Sequence, residues 1–262
     1  MKIDNPEKCC TNVYLYDGSF DGLLTAVFDG WNDSLLANIV AEERYQSCLT
    51  DSVVIVCSDE KKASRIRKWV VKNFSDSVLM KIYRVFLTEE DGCERDIFLY
   101  LRYIGRKGKS GVFDITNEFV NRVDRLERAF NGETHKLYGF LRFRELASGI
   151  MLTEIRPKYN QLEPLMNFFH DRQPGAKIII YDTKRNIGAV CNGKGWYVSS
   201  AIELEEIRGC GVVDGNFEQM WTEYLTALSI KERENYKLQR QMMPMKYRQF
   251  MTEFTKHAEQ TL

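Results

Sequence analysis

The densest group of side chains that could do chemistry lies at residues 132–144. Glu133 stands two residues before His135. A carboxylate close to an imidazole can orient and charge it, and the imidazole can then bind phosphate or transfer protons. The sequence thus offers His135 as an acid or base with Glu133 as its orienting partner. The alternative is a hydrogen-bonded histidine with a structural role.

Basic side chains form a second candidate group. The segment at 105–111 reads GRKGKSG, but it follows a predicted helix and lacks the spacing of a phosphate-binding P-loop. Alternation over residues 140–146 predicts a strand with arginines on one face and Leu141 and Phe143 on the other. These cations either contact nucleic-acid phosphates or form solvated faces. They are Arg106, Lys107, Lys109, Lys136, Arg142, Arg144, Lys184 and Arg185. Tyr138 or Trp196 could stack a base.

Composition narrows the classes of function. The 262 residues carry 37 basic and 37 acidic side chains, which argues against a uniformly basic surface but not against a local one. Walker, GxGxxG, HExxH and GxSxG motifs are absent. The seven cysteines have no CxxC spacing and the three histidines lie far from them, so we predict free thiols and neither a metal site nor a cofactor. An adjacent Cys9–Cys10 pair is the weak exception.

The lengths of the apolar runs in the sequence indicate where the protein is expected to reside. The longest of them are strand-sized and far short of a bilayer span. The first residues, MKIDNPEKCC, contain no apolar stretch of the kind found in secretory signals. We therefore expect a cytoplasmic protein that does not associate with membranes.

The first half is predicted to be mainly helical with a short α/β opening. Strands are expected at 13–16 and 53–57, each followed by a helix, and helical periodicity dominates from there to about residue 131. Asp17 and Asp21 flank the first turn. They could hold a metal or a ribose, or they could simply form the turn. Gly132 is the expected C-terminal stop of the last of these helices.

The second half is predicted to form an antiparallel sheet with one helix, followed by a helical tail. Strands are expected at 140–146, 150–155, 177–182, 187–191 and 195–198, with a helix at 162–169. The turns look too short for parallel crossovers. The chain is therefore expected to be α+β, and its sheet is compatible with a curved TATA-binding-protein-like type. Regions 1–131 and 132–262 could be two domains or one continuous domain.

Several segments also resemble a known family. They are VYLYDGSFDGLLTAVFDG, GETHKLYGFLRFREL, IRPKYNQLEPLMNFFHDRQPGAKIIIYDTKRN and MMPMKYRQFMTEF. They look like an uncharacterised bacterial family described as probable DNA metabolism proteins. The positions that match its middle and later motifs are Glu133, His135, Lys136, Phe140, Arg142, Phe143, Asp182 and Arg185. Lys136 stands where arginine is usual, which excludes a bidentate contact with phosphate there.

The resemblance implies a role in DNA metabolism. Family members are typically paired with a radical-SAM DNA modification or repair protein, and similar domains occur fused to uracil-DNA-glycosylase-like domains. We therefore expect a nucleic-acid-binding accessory protein with DNA and the radical-SAM protein as partners. One alternative is an enzyme acting on damaged or modified nucleic acid through His135 and Glu133. Another is a protein-interaction module that docks its companion through the apolar helix at 217–228, without binding DNA.

Overall fold

The computed structural model describes residues 11–33, 37–48, 51–202, 204–209, 211 and 216–254. Cys9 and Cys10 lie outside these residues. Cys48, Cys57, Cys93 and Cys191 are free thiols. The chain forms two compact units, residues 1–131 and 132–262, and each is described by itself below.

The first unit is built on a three-stranded parallel sheet. Its strands are β1 (Thr11–Tyr16), β2 (Asn38–Ala41) and β3 (Asp51–Ile55), in the order β2-β1-β3. β1 and β3 match the two strands predicted from the sequence. β2, a four-residue strand in which buried and partly buried side chains alternate, was not predicted.

Four helices pack together with this sheet in the first unit. Each of the first three begins at a side-chain cap, namely Ser19, Asp59 and Ser75, whose oxygen accepts a backbone N–H of the first turn. The apolar faces of the helices pack with β1 and β2 into one core. The helices are α1 (Phe20–Asp29), α2 (Glu60–Asn73), α3 (Asp76–Phe86) and α4 (Cys93–Lys107).

The two candidate aspartates of the first turn serve the local structure. Asp17 accepts hydrogen bonds from the Ser19 hydroxyl at 2.6 Å and the Ser58 hydroxyl at 2.7 Å. Asp21 forms an ion pair with Arg67. The described part of the chain contains no group of three or more His, Cys, Asp or Glu side chains that could hold a metal ion.

The next helix, α5 (Glu118–Phe140), is longer than predicted. It continues through Gly132 and Gly139, neither of which has a positive φ. The predicted stop at Gly132 is therefore wrong, and so is a strand beginning at residue 140. Glycine costs only about 1 kcal/mol in a helix interior, and burial of Phe130 and Leu137 on this helix outweighs that cost.

The second unit contains a five-stranded mixed sheet in the order β4-β5-β6-β7-β8. β5 and β6 are parallel, because helix α6 (Leu162–Arg172) lies in the connection between them, and the other neighbours are antiparallel. The wholly antiparallel expectation is thus wrong for one pair. A TATA-binding-protein-like sheet stays a prediction. The strands are β4 (Arg144–Glu145), β5 (Met151–Ile155), β6 (Lys177–Asp182), β7 (Ile187–Asn192) and β8 (Trp196–Ser199).

The tail is helical, as predicted. Its helices are α7 (Leu204–Gly209), α8 (Asn216–Leu228), α9 (Tyr236–Met242) and α10 (Met245–Arg248). Tyr247 and Met251 are buried, and Tyr247 belongs to the core of this unit. The chain is therefore α+β. Among the described residues, no helix combines the length and apolar character that crossing a bilayer requires.

Candidate nucleic-acid interface

Glu133 is the centre of a hydrogen-bond cluster in the second unit. Its carboxylate is buried, with the residue 6% exposed. It accepts the backbone N–H groups of Lys158 and Tyr159 at 3.0 and 2.9 Å. It also accepts the Lys246 ammonium at 2.7 Å and the Tyr247 hydroxyl at 2.9 Å. Helix α5, the segment after β5 and helix α10 are thereby joined at one side chain.

These contacts determine the charge of the cluster. Burial by itself would raise the pKa of Glu133, but Lys246, the two backbone N–H groups and Tyr247 together hold it below its ordinary value. Burial and the neighbouring carboxylate raise the pKa of the Tyr247 hydroxyl. Glu133 is therefore ionised at neutral pH, and Tyr247 stays a neutral donor.

The hairpin turn after β6 brings further cations to the same segment. Asp182 is fully buried and accepts the Arg185 guanidinium at 2.7 Å and the Lys184 backbone N–H at 2.9 Å. The carbonyl oxygen of Lys158 accepts the Lys184 ammonium at 2.7 Å and the Arg185 guanidinium at 3.1 Å. Residues 158 and 184–185 are thus held together by direct hydrogen bonds.

The result is a surface group that we call the lysine cluster: Lys158, Lys184 and Lys246, all three exposed. The Lys158 ammonium lies 4.9 Å from the Tyr159 ring and the Lys246 ammonium 4.5 Å from the Tyr247 ring. Glu133 binds the Lys246 ammonium and the Lys158 backbone N–H, and Asp182 binds the Lys184 backbone N–H. The arrangement offers several positive charges to an anion at the surface.

A comparison with protein-family models decides the family. Residues 91–253 match the family described as a domain of unknown function, DUF4130. The chain belongs to this family. Neither the curated proteins nor the solved structures with which the chain was compared contain a match. Glu133, Asp182 and the lysine cluster all lie within the stretch that matches DUF4130.

The predicted pairing of Glu133 with His135 is not formed. Both residues lie on α5, where residues two apart point about 200° from each other around the helix. Glu133 is buried among its four donors, whereas His135 is exposed. Glu133 therefore does not orient His135, and an acid or base role of His135 by itself stays a prediction.

Arg142 is also placed differently from the prediction. It does not lie on a strand, because β4 is confined to Arg144 and Glu145. Its guanidinium binds Glu253 through two nitrogens, at 3.2 and 2.7 Å, and donates to the carbonyl oxygens of Gly139 and Leu141. Arg142 thus makes hydrogen bonds within this unit and is only partly exposed, and its contact with phosphate stays a prediction.

The neighbouring Arg144 is exposed. Together with Arg142 it lines a cleft of about 420 Å³ in the second unit. The other lining residues are Leu146, Leu152, Thr153, Glu154, Gln249 and Phe250. The two arginines therefore do share a concave surface, although only Arg144 keeps the exposed position that was predicted for both.

The remaining predicted cations lie partly in the first unit and partly in the second. Lys136 is exposed on α5, and Arg106, Lys107 and Lys109 are exposed at the end of α4 and in the short 3₁₀ helix that follows it. Two of the eight predicted cations belong to the hydrogen-bonded basic group of the second unit. This group joins Lys184 and Arg185 to Lys158 and Lys246.

The two predicted stacking residues are both partly buried. The ring of Tyr138 stacks on Phe168 with centroids 4.1 Å apart, so one of its faces is already covered. The Trp196 indole donates to the Asn167 side chain at 3.1 Å and packs against the core of the second unit. Neither ring offers two open faces to a base.

Sequence reasoning missed Lys158 and Lys246 as site residues. Both stand in segments that resemble the family, IRPKYNQ and MMPMKYRQF, but a lone lysine beside a tyrosine carries no signal of its own. The feature that could have pointed to these lysines is that each Lys-Tyr pair lies within a segment that resembles the family. Glu133 meets both pairs only once the chain has folded.

Proposed function

We propose that this protein is a nucleic-acid-binding accessory protein of DNA repair or modification that acts with a radical-SAM companion. The observation that carries the proposal is that direct hydrogen bonds hold Lys158, Lys184 and Lys246 in one group. Glu133 accepts the Lys158 backbone N–H and the Lys246 ammonium, and the Lys158 carbonyl oxygen accepts the Lys184 ammonium. The family resemblance of the segments that contain them supports the link with DNA metabolism and with the companion.

The chemistry of the lysine cluster suits phosphate contacts. Ammonium groups act as point charges toward phosphate and do not require the planar geometry of arginine. Because Glu133 and Asp182 are buried, with 6% and 0% exposure, their charges lie behind the ammonium groups rather than in front of them. A polyanion that approaches this surface therefore meets lysines first.

The expected binding is electrostatic and salt-dependent. Three lysine–phosphate contacts give a slope of log K against log salt of about −2 on single strands and about −3 on duplex. Such contacts carry little sequence information, because they involve the sugar–phosphate backbone. The proposed role is therefore to hold DNA rather than to choose its sequence.

A salt-series titration tests the proposal. Fluorescence anisotropy would follow labelled single-stranded and duplex DNA with the full chain, Lys158→Gln, Lys184→Gln and a control, Lys194→Gln. Lys194 is an exposed lysine of the same unit in the turn before β8. Each cluster variant should weaken binding and reduce the steepness of the slope by about 1. The control should behave as the unchanged chain does.

Two results would contradict the proposal. One is the absence of DNA binding at low salt. The other is an equal loss of affinity in Lys194→Gln and the cluster variants, since that would show a non-specific dependence on net charge.

A second candidate function rests on the exposed apolar side chains of helix α8. Met220, Tyr224 and Leu228 are 57%, 56% and 60% exposed, and Trp221 stacks on Tyr224 with centroids 5.8 Å apart. An apolar helix face of this kind is typical of a protein contact. We propose it as the surface on which the radical-SAM companion docks.

Co-purification distinguishes the two functions. Leu228→Glu should abolish capture of the co-expressed companion and leave the DNA salt slope unchanged. Phe113→Glu, at an 81% exposed position in the first unit, is the matched control and should leave capture intact. Undiminished capture by Leu228→Glu would refute α8 as the docking surface.

A further inference from the structure

The first unit contains two adjoining clefts of different chemistry. One has a volume of about 500 Å³ and is lined by the apolar side chains of Phe28, Trp31, Ile66 and Trp69 and also by Asp29 and Arg65. The other has a volume of about 270 Å³ and contains two arginines, Arg102 and Arg106. Trp31 and Asn32 line both clefts. An aromatic surface and a cationic surface thus meet at these two residues.

The aromatic cleft is built around two indoles. Trp31 and Trp69 contact each other edge to face, with ring centroids 5.1 Å apart, and both are partly exposed. Gly105 of α4 allows this approach, because a Cβ there would lie 3.3 Å from two Trp69 carbons and 3.4 Å from Trp31. At about 500 Å³ the cleft falls within the range of roughly 300–1,000 Å³ common for small-molecule sites.

The cationic cleft brings two guanidinium groups together on the last turns of α4. Arg102 is only 8% exposed, and its guanidinium lies 5.2 Å from the Phe98 ring. Burial lowers its pKa, as does the positive charge of Arg106, whereas Asp33 acts in the opposite direction. Like charges at positions i and i+4 of a helix repel each other. An anion between the two guanidinium groups would offset this repulsion and the cost of burial.

We infer that the two clefts together bind a nucleotide, with the base against the indoles of Trp31 and Trp69 and the phosphate against Arg102 and Arg106. Asn32, exposed between the two parts, offers an amide donor and acceptor to the edge of the base. The ligand is a free nucleotide or the phosphorylated end of a single strand. This site uses residues of the first unit only, so it does not depend on the lysine cluster.

The test separates the base from the phosphate. Isothermal titration calorimetry of the full chain would compare adenosine 5′-monophosphate with adenosine and with ribose 5-phosphate. The nucleotide should bind at least about tenfold more tightly than either fragment, because only the nucleotide engages both clefts. Equal binding of the nucleotide and adenosine, or no heat with the nucleotide at millimolar concentration, would overturn the inference.

A matched pair of charge reversals locates the phosphate. Arg106→Glu should weaken nucleotide binding about tenfold or more and leave the weaker binding of adenosine unchanged. Lys109→Glu makes the same charge change three residues away at an exposed position that does not line either cleft, and should alter binding by less than about twofold. Thermal melting of both variants would verify that they are folded. An equal effect of the two variants would overturn the assignment.

A third variant tests the base. Trp69→Leu should weaken nucleotide and adenosine alike, because stacking is made with the base in both. If Trp69→Leu lowers the melting temperature strongly, quenching of tryptophan fluorescence by the nucleotide in the unchanged chain gives the same information. Failure of the nucleotide to quench that fluorescence would overturn the stacking assignment.

Short oligonucleotides identify the source of the ligand. A single strand with a 5′-phosphate that competes with the nucleotide, while the same strand without the phosphate does not, supports the end of a DNA strand. Competition by neither strand supports a free nucleotide. Equal competition by both strands would overturn the requirement for a terminal phosphate. The nucleotide assay can fail while the salt-series titration of the lysine cluster succeeds, and the reverse also holds.

Discussion

The Tyr247 hydroxyl donates a hydrogen bond to Glu133 Oε1 at 2.9 Å, joining two residues that are 114 positions apart in the sequence. The same oxygen accepts the Lys246 ammonium at 2.7 Å. Since Glu133 is buried, its charge is stabilised only while these donors stay in place. The Glu133 carboxylate therefore joins helix α10 to α5.

Replacing Glu133 with glutamine should destabilise the protein. The amide nitrogen would face groups that are themselves donors, and at least one buried donor would lose its partner. We expect the free energy of unfolding to fall by about 2 kcal/mol. This loss is smaller than for a fully buried ion pair, because solvent screens the charge of Lys246, whose side chain is about half exposed. Urea denaturation at neutral pH measures this change. Glu145→Gln, at an exposed position, is the control and should stay within about 0.5 kcal/mol.

The contribution of Glu133 should depend on pH in a defined direction. Its pKa is lower in the folded chain than its ordinary value of 4.5, so the folded state favours the ionised form. The stabilisation is complete above pH 4.5 and is lost as the pH falls through the folded pKa. We expect the stability difference between the unchanged chain and Glu133→Gln to shrink below pH 4.5. A difference that grows on acidification would refute the assignment.

Gly132→Ala tests whether helix α5 runs through residue 132. In a helix interior, alanine should raise the free energy of unfolding by about 0.5–1 kcal/mol, and a Cβ at this position meets nothing within 4 Å. Gly149→Ala is the contrasting control, because φ is +73° there and alanine should destabilise. Thermal denaturation compares the two. Destabilisation by Gly132→Ala would point to a helix end instead.

Arg142 and Arg144 should differ in their effect on stability. Arg142→Ala removes two hydrogen bonds to Glu253 and the cation–π contact with Trp221, whose ring centroid is 5.6 Å away. We expect a loss of about 2 kcal/mol, because the Glu253 side chain is only 12% exposed and loses a charged partner. Arg144→Ala should cost clearly less. Urea denaturation of both variants makes the comparison, and equal losses would contradict it.

His135→Ala should leave the protein almost unchanged. The side chain is exposed and points away from Glu133, so the free energy of unfolding should shift by less than about 0.5 kcal/mol. The salt slope of DNA binding should also stay the same. A marked loss of affinity in this variant would show that His135 contacts DNA without the help of Glu133.

Local patterns predicted most of the strands and helices correctly. Short apolar segments between turns indicated β6, β7 and β8, and helical spacing indicated α1 and α2, because these signals depend only on neighbouring residues. The four-residue strand β2 was not predicted. Gly132 misled the prediction because a glycine signal describes a local preference, whereas packing of the surrounding helix determines where that helix ends.

Local sequence patterns were enough to predict an α+β chain and to place Glu133, Asp182 and Arg185 in segments that resemble a family. The parallel pairing of β5 with β6, and the contacts of Glu133 with Lys246 and Tyr247 in place of His135, became visible only in the folded chain. The physical reason is that a buried carboxylate must find donors wherever the fold brings them. Those donors come from segments far away in the sequence, so the spacing of residues near Glu133 does not predict which donors it will contact.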